Sequence, residues 1–228
     1  MKPSFDFYNH FFLTYKNLLN SNRSQKEANF LKKFIKSYNS NVLDLGCGWG
    51  RHLKALARLG YNNLTGIDSS KKLLKKSREL LTNFPSVKLI ESNFIGFKSN
   101  NKYDFIYQVF QSFGFETEIY DIKNLENVSK LLSAKGIYLL DLRNPIKLLN
   151  GEIFDLPPTV KIQINHKKRK IRFECDSSTE ECNVYSAEEL NKMFRNAGLE
   201  ITDTFGDFKG SKYSAKSERL ILVAKKAR

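Results

Sequence analysis

Residues Val42–His52 read VLDLGCGWGRH, an apolar run that leads into three alternating glycines and then into a helical pattern. We interpret this stretch as a short buried strand, a glycine loop and the start of a helix. Glycine adopts backbone conformations that other residues avoid and places no side chain between the main chain and a ligand. The first turn of a helix also presents unpaired N–H groups. The stretch therefore predicts a site where a nucleotide-like cofactor lies against the main chain.

The spacing of the glycines separates two classes of cofactor site. Dinucleotide sites usually carry Gly-x-Gly-x-x-Gly, with the helix start facing a pyrophosphate, whereas Gly46, Gly48 and Gly50 form Gly-x-Gly-x-Gly. Asp44 precedes the first glycine at a place where a carboxylate repels phosphate but can hold an ammonium group. A second strand, Leu64–Asp68, ends in an acid that can accept both hydroxyls of a ribose. The pattern disfavours a dehydrogenase, and a glycine-rich turn that binds nothing is the alternative.

Further residues follow the glycine loop in a recognisable order: Gly50-Arg51-His52, Leu56-Ala57, Gly60-Tyr61 and Gly66-Ile67-Asp68-Ser69. With them, the run Val42–Ser69 resembles the cofactor-binding half of class I S-adenosylmethionine-dependent methyltransferases. The resemblance implies that Asp44 lies near the methionine part of S-adenosylmethionine and that Asp68 holds its ribose. It also implies cofactor contacts for Gly46, Cys47, Gly48 and Ser69.

Two later strand ends complete the expected cofactor site. Asn93 and Phe94 follow the third predicted strand, where the resembled family often carries Asp and an apolar residue against the adenine ring. Asn93 replaces that Asp, and its amide oxygen can still accept a hydrogen bond from the adenine amino group. Gln108 ends the fourth strand, and strand ends in an open parallel sheet face the ligand crevice. We therefore expect Phe94 and Gln108 to contact the cofactor and the nearby Gln111 to contact the acceptor.

The N-terminal segment carries a stripe of aromatic and apolar residues at helical spacing, namely Phe5, Tyr8, Phe12, Tyr15 and Leu19. Such a stripe is typical of core packing, but in the resembled family the segment before the first strand covers the cofactor and often uses a tyrosine. We therefore interpret residues 1–36 as an N-terminal helical lid, with Tyr15 as a cofactor contact. Tyr8 and His10, together with Gln111, are the candidate catalytic residues that orient or deprotonate the acceptor.

The alternation of predicted strands and helices indicates an α/β fold, a Rossmann-like doubly wound sheet of seven mostly parallel strands with one antiparallel strand. We expect a single methyltransferase domain over residues 1–228, with a small β-hairpin insertion over residues 144–182. Alternating apolar residues place the turn of that hairpin at Asn165–Lys170. Helical spacing predicts a helix over Gln25–Tyr38, and the fifth strand is predicted over Ile137–Asp141.

The composition sets bounds on partners and location. Lysine and arginine number 38 against 24 aspartate and glutamate residues, which gives a formal net charge of +14. Such a surplus suits RNA or another polyanion, or it is an even coat of surface lysines. The sequence holds no apolar run of about 18 residues and its start lacks the features of a secretory signal, so we expect a cytoplasmic protein without a membrane span. The three cysteines show no metal-binding spacing, and no metal is expected.

The predicted function is methyl transfer from S-adenosylmethionine to nitrogen or oxygen of a small-molecule acceptor by direct displacement. This reaction needs an aligned nucleophile, methyl carbon and sulfur and the exclusion of water, but no covalent nucleophile. The tetrapeptide Ser112–Phe115, SFGF, resembles the SFGY of a subset of small methyltransferases, and Gln108–Gln111 lacks the Pro-Pro-aromatic motif common in methyltransferases of nucleic-acid bases. The alternatives are an RNA or protein methyltransferase and a non-catalytic S-adenosylmethionine-binding protein. The sequence leaves the acceptor, the base and the oligomeric state open.

Overall fold

A seven-stranded sheet with helices against its faces forms the main body of the protein, and a three-stranded sheet accompanies it. The computed structural model describes residues 19–110, 112–153, 160–175 and 178–227. The strands are β1 Val42–Leu45, β2 Leu64–Asp68, β3 Lys88–Glu91, β4 Tyr103–Gln108, β5 Leu132–Arg143, β6 Lys161–Asn165, β7 Lys170–Cys175, β8 Ser178–Asn183, β9 Leu199–Phe205 and β10 Arg219–Lys226. The α-helices are α1 Ser21–Leu31, α2 Arg51–Arg58, α3 Lys71–Leu80, α4 Glu118–Leu131, α5 Pro145–Leu149 and α6 Ala187–Asn196.

The strand order of the large sheet is β3-β2-β1-β4-β5-β10-β9. The first five of these strands run parallel, whereas β10 is antiparallel to both of its neighbours. This arrangement confirms the predicted Rossmann-like sheet of seven mostly parallel strands. The chain moves outward from β1 to β3 and then crosses back to β4, so the order reverses between β1 and β4. In open α/β sheets, ligands bind at such a reversal, outside the carboxyl ends of the strands.

The sheet separates two hydrophobic cores. Leu43 and Leu45 of β1 pack in one core with α4 and α6, whereas Val42 packs in the other with α1, α2 and α3. Successive side chains of a strand point to opposite faces, and β1 is buried along its whole length. Strands buried on both faces are typical of parallel sheets that helices cover on both sides. The carboxyl end of β1, which leads into the glycine loop, is thus held from both faces.

The helix predicted over Gln25–Tyr38 is wrong at its C-terminal end. The α-helix ends at Leu31, a 3₁₀ turn covers Lys32–Phe34, and Ile35 is already extended. Phe34 and Ile35 nevertheless pack in the core shared with α1 and α2. Their apolar spacing therefore reflects burial in a turn and an extended segment, and periodicity alone does not distinguish these from a further helical turn.

The fifth strand is longer than predicted because Gly136 lies inside it. The strand β5 begins at Leu132, and its pairing with β4 shifts register between Tyr103 and Phe105. A Cβ on Gly136 would lie 2.8 Å from the carbonyl oxygen of Tyr103. Only glycine permits so close an approach, and glycine inside a strand commonly marks such a bulge. The predicted start of the fifth strand at Ile137 was therefore wrong.

The segment predicted as a β-hairpin contains a third strand. Strands β6 and β7 pair antiparallel around the turn expected at Asn165–Lys170, and β8, with the sequence STEECN, pairs with the other side of β7. The backbone N–H of Asn183 donates to the carbonyl oxygen of Gly114 at 2.7 Å, and the Asn183 side chain donates to the carbonyl oxygen of Glu116 at 2.7 Å. The third strand therefore ties the small sheet to the loop that follows β4. None of the helices in the described ranges is long and apolar enough to cross a membrane.

Candidate active site

The glycine loop leaves an open space beside its middle glycine. Gly46, Gly48 and Gly50 have φ angles of 80°, 54° and 79°, a left-handed conformation that favours glycine. A Cβ on Gly48 would meet no atom of the described residues within 4 Å, whereas a Cβ on Gly50 would lie 2.3 Å from the Ser77 hydroxyl. Gly50 is therefore required for packing of the loop on α3. Gly48 instead presents bare main chain to a space that a flat ligand can occupy.

Asp68 holds the glycine loop and the start of α3 with a single carboxylate. Its Oδ2 accepts from the backbone N–H of Gly48 at 2.9 Å, and its Oδ1 accepts from that of Ser70 at 2.8 Å. Ser70 in turn caps α3, since its hydroxyl accepts from the backbone N–H of Leu73 at 3.3 Å. Burial raises the pKa of Asp68, which the two backbone hydrogen bonds counteract. Each carboxylate oxygen still has capacity for a further donor, as ribose hydroxyls would require.

Asp44 is a deeply buried acid at the carboxyl end of β1. It is 1 % exposed, and its Oδ2 accepts from the Tyr107 hydroxyl at 2.9 Å. Burial raises the pKa of Asp44 to about 7, although the Tyr107 hydrogen bond and the positive charge of Arg51 lower it and the charge of Asp68 raises it. A carboxyl poised in this way gains from a cationic ligand, because an ammonium group would favour its charged form.

Two further candidate residues lie close to these acids in sequence, and they differ in burial: Cys47 is buried and Ser69 is exposed. The thiol of Cys47 is buried, and a Cβ on Gly66 of β2 would lie 2.9 Å from its sulfur. Its side chain therefore packs onto the sheet, which leaves its main chain as the part available to a ligand. Ser69 is exposed and follows Asp68 directly.

Phe94 lies against the glycine loop, whereas the amide of Asn93 is engaged in its own turn. A Cβ on Gly46 would lie 3.3 Å from the Phe94 ring. The Oδ1 atom of Asn93 accepts from the backbone N–H of Gly96 at 2.6 Å, and Asn127 holds the turn by donating to the Phe94 carbonyl oxygen at 2.6 Å. The Asn93 oxygen that was expected to accept from the adenine amino group thus already accepts one hydrogen bond within its own turn. The Phe94 ring is therefore the stronger candidate for the adenine contact.

Gln108 is fully buried and bonded to the protein itself. Its Nε2 donates to the carbonyl oxygen of Ser112 at 2.6 Å, and its Oε1 accepts from Asn124 at 3.1 Å and from the Tyr138 hydroxyl at 2.9 Å. These contacts give Gln108 the role of holding the loop after β4, and a direct cofactor contact stays a prediction. The other candidates Tyr8, His10, Tyr15 and Gln111 lie outside the described residues.

A buried network that sequence reasoning did not predict joins α1 to α2. Glu27 of α1 accepts hydrogen bonds from Arg51 and, at 2.8 Å, shares a hydrogen bond with Nε2 of His52. It also accepts from Arg23 at 2.9 Å. Burial acts to raise the pKa of Glu27, but these cationic and hydrogen-bonding partners hold it well below its ordinary value. Burial lowers the pKa of His52 to about 4, so this histidine is neutral near pH 7. The sequence feature that could have indicated this network is the pair Arg51-His52 directly after the glycine loop.

Phe110 follows β4 in a conformation that residues other than glycine rarely adopt. Its φ angle is 63°, and its backbone N–H donates to Oδ2 of Asp141 at 2.8 Å. Arg219 binds the same carboxylate through Nε, at 2.6 Å, and through Nη2. The ends of β4, β5 and β10 are thus joined at the carboxyl edge of the sheet, where the crevice lies.

Comparison with known proteins finds matches among methyltransferases. The family model described as "Methyltransferase domain" matches residues 19–204. YqeM of Bacillus subtilis (strain 168) is 22 % identical over 213 residues, which cover 82 % of this chain and 84 % of that protein. The structure of an S-adenosylmethionine-dependent methyltransferase from Clostridium acetobutylicum superposes with a TM-score of 0.79 at 19 % identity, covering 97 % of this chain and 99 % of the other. The CcbJ methyltransferase from Streptomyces caelestis gives a TM-score of 0.77 at 21 % identity over 90 % and 95 % of the two chains.

Proposed function

Since this chain belongs to the methyltransferase-domain family, with the fold of its S-adenosylmethionine-dependent members, we propose that it methylates nitrogen or oxygen of a small-molecule acceptor. The cofactor supplies an electrophilic methyl group on a sulfonium sulfur. The protein has to orient the acceptor atom in line with that bond and to exclude water. A single observation carries the cofactor assignment, namely the open space beside Gly48 next to the loop-bound carboxylate of Asp68.

We assign the parts of the cofactor to the strands that end around this space. Asp68 of β2 would accept the ribose hydroxyls, with Ser69 beside it, and the Phe94 ring would lie against the adenine. The main chain of Gly46–Gly48 would lie under the cofactor. Asp44 of β1 would bind the ammonium group of its methionine part, because the buried carboxyl has a raised pKa that a cation would lower.

The acceptor would then lie beyond β1, over the ends of β4 and β5. The strand β8 is joined to the loop after β4 there, through the hydrogen bonds of Asn183 to Gly114 and Glu116. A small sheet beside the acceptor would leave less room for a duplex or a folded protein than for a small molecule. Tyr8, His10 and Gln111 stay the candidate residues that orient or deprotonate the acceptor.

A turnover assay tests this proposal. Release of S-adenosylhomocysteine is measured with panels of amines, phenols and carboxylates, and in parallel with bulk RNA and with protein extract. We expect turnover with members of the small-molecule panels. Methylation of RNA or protein alone would contradict the proposal, as would cofactor binding without turnover in every panel.

The net charge of +14 makes RNA the second candidate acceptor. Binding of an RNA acceptor would release counterions, so its affinity would fall steeply with salt. Titration of bulk RNA at several salt concentrations measures that dependence. Micromolar affinity at low salt together with RNA methylation would favour the RNA enzyme, whereas binding without methylation would reflect only surface charge.

A further inference from the structure

The buried Tyr107 of β4 lies beside the acid that we assign to the ammonium group of the cofactor. Tyr107 is paired with Asp44 in the register of β4 and β1, so the two side chains point to the same face of the sheet. The Tyr107 hydroxyl donates to Oδ2 of Asp44 at 2.9 Å, and the two residues are 0 % and 1 % exposed. The pairing of two strands far apart in sequence thus brings a hydroxyl donor to a buried carboxyl group.

The ring of Tyr107 is held in place by its neighbours. It packs in the hydrophobic core that α1 and α2 share. The Phe105 ring stacks on it with the centroids 5.6 Å apart, and the His52 ring lies at 87° to it with the centroids 6.1 Å apart. His52 is in turn held by its 2.8 Å hydrogen bond with Glu27. The hydroxyl therefore has a fixed place relative to Asp44, and its removal alone would leave the ring packing intact.

The Tyr107 hydroxyl favours the ionised form of Asp44. Burial and the charge of Asp44 raise the pKa of Tyr107 well above its ordinary value, so the hydroxyl keeps its proton and donates it to the carboxylate. Burial raises the pKa of Asp44, and among the groups that lower it the Tyr107 hydrogen bond acts more strongly than Arg51. A carboxylate accepts several hydrogen bonds, so Asp44 keeps capacity for an ammonium group.

The other ionisable groups around Asp44 come from α2, the end of β2 and the glycine loop. The charge of Arg51 lowers the pKa of Asp44, and that of Asp68 raises it. Burial raises the pKa of the Cys47 thiol, which is therefore neutral near pH 7. His52, which packs on the Tyr107 ring, is neutral there as well, because burial lowers its pKa to about 4. Asp44→Asn removes the titration of Asp44 and leaves these other groups in place.

We propose that Tyr107 is a positioning residue for cofactor binding, whose hydroxyl fixes the Asp44 carboxylate and keeps it in the charged form that the ammonium group needs. This inference rests on the proposed function, which assigns Asp44 to that ammonium group. Tyr107 acts through Asp44 and does not itself have to touch the cofactor. Without the hydroxyl, the buried acid would stay protonated to higher pH, and a neutral carboxyl group loses the charge attraction to a cation.

The pH dependence of S-adenosylhomocysteine affinity tests the role of the hydroxyl. Calorimetric titrations compare the wild type with Tyr107→Phe between about pH 6 and about pH 8.5. Loss of one hydrogen bond to the charged form should move the midpoint of the affinity rise upward by about one pH unit. Tyr107→Phe should therefore bind about fivefold more weakly at about pH 7 and less than about twofold more weakly at about pH 8.5. Both proteins should bind 5′-methylthioadenosine, which lacks the amino acid, equally.

Tyr185→Phe is the matched control. The Tyr185 hydroxyl donates to Oδ2 of Asp121 at 2.7 Å, so this change removes a hydrogen bond of the same kind between other elements. It should leave the affinity for S-adenosylhomocysteine and its pH dependence unchanged, and urea unfolding measures the stability that each variant loses. A second variant carries Tyr107→Phe together with Asp44→Asn, so that no buried carboxylate loses its donor. Its affinity should equal that of Asp44→Asn alone at every pH.

The outcomes separate the inference from the assignment on which it rests. A loss in Tyr107→Phe that is equal at every pH, or that extends to 5′-methylthioadenosine, would show only a packing role and overturn the inference. An unchanged pH profile in Tyr107→Phe beside a weakened Asp44→Asn would overturn the inference and leave the Asp44 assignment in place. Wild-type affinity in Asp44→Asn would remove both. The expected shift without turnover in any acceptor panel would support the role of Tyr107 and contradict the proposed function instead.

Discussion

Asp68 holds the glycine loop in place and is also the residue that we propose to bind the ribose. Its carboxylate oxygens accept from the backbone N–H groups of Gly48 and Ser70, so the glycine loop and the start of α3 keep their spacing through it. A ribose bound there would donate to oxygens already held in place. The position of Asp68 at the end of β2 could be predicted from the sequence, because a strand that ends in an acid shortly after a glycine loop is a local pattern, and its ribose contact stays a prediction.

Substitution of Asp68 tests its role towards the ribose. Asp68→Ala should weaken S-adenosylmethionine binding by about 1.5–3 kcal/mol, the scale of hydrogen bonds to a charged group, and calorimetry measures the change. The affinity of Asp68→Asn, which keeps one acceptor oxygen, should lie between those of the wild type and Asp68→Ala. Asp207→Ala is the control, because Asp207 likewise accepts backbone N–H bonds, from Lys209 and Gly210, in an exposed turn. Unchanged affinity in Asp68→Ala would contradict the ribose assignment.

Asp44 makes cofactor binding depend on pH. Burial raises the pKa of Asp44 to about 7, and only its ionised form attracts an ammonium group. Affinity for S-adenosylhomocysteine should therefore rise about fivefold from about pH 6 to about pH 7, as the ionised fraction grows. Asp44→Asn should bind more weakly and show no such rise. A pH profile of the wild type as flat as that of Asp44→Asn would remove the ammonium role.

The raised pKa of Asp44 affects the stability of the ligand-free protein in the opposite sense, since stability should fall where cofactor affinity rises with pH. A carboxyl whose folded-state pKa lies above its unfolded value binds more protons when folded, so stability falls as pH rises between the two values. The contribution of Asp44 should thus decrease from about pH 4 to about pH 7 and then level off. Urea unfolding of the wild type and Asp44→Asn at several pH values measures the difference, and a gap between the two proteins that does not change with pH would contradict the shift.

At the scale of helices and strands, prediction from the sequence succeeded for elements that depend on a contiguous stretch and failed for elements that depend on partners far away in the chain. The glycine loop and α2 follow from a contiguous stretch, Val42–His52. The strand β8 could not be predicted, because its sequence STEECN is polar and its conformation depends on pairing with β7, as in the Arg172–Glu181 pair across the two strands. The grouping of Arg23, Arg51, Arg143 and Arg219 around the Phe110 ring was missed for the same reason, since the four arginines come from four elements.

The contact between α1 and α2 depends on Glu27. Its carboxylate binds Arg51 and His52 at a buried place, so Glu27→Gln would leave Arg51 without its charged partner. We expect a loss of about 3–5 kcal/mol of unfolding free energy, the usual cost of breaking a buried pair from one side. Glu181→Gln, which breaks an exposed pair with Arg172, should cost about 1 kcal/mol or less. Urea denaturation compares the two, and similar small losses in both would show that the buried network adds little to stability.

At the scale of the whole molecule, the strand order divides the crevice into regions. Crossing from β2 to β1 and on to β4 and β5, the side chains at the strand ends change from Asp68 and Asp44 to Phe110 and Arg143. Asp68 and Asp44 therefore lie on the side assigned to the cofactor, whose bound part is cationic at its amino group and sulfur. The side assigned to the acceptor carries Arg143 and Arg219 together with the acid Asp141, which pairs with Arg219. The acids that the proposal assigns to the cofactor are thus those at the ends of β1 and β2.

We propose that the first part of the predicted lid (residues 1–36), namely residues 1–18, serves catalysis and is not needed for folding. The described residues alone supply two extensive hydrophobic cores, one on each face of the sheet, so we expect deletion of residues 1–18 to leave the fold in place. The deletion removes Tyr8, His10 and Tyr15, and we expect turnover to fall by about 100-fold or more, the scale of positioning and acid–base effects. Circular dichroism and urea unfolding check the fold, and full-length Tyr8→Phe and Tyr15→Phe separate loss of a hydroxyl from loss of the lid. If the shortened protein turns over at the full rate, the catalytic groups lie outside residues 1–18, and Gln111 becomes the first candidate to substitute.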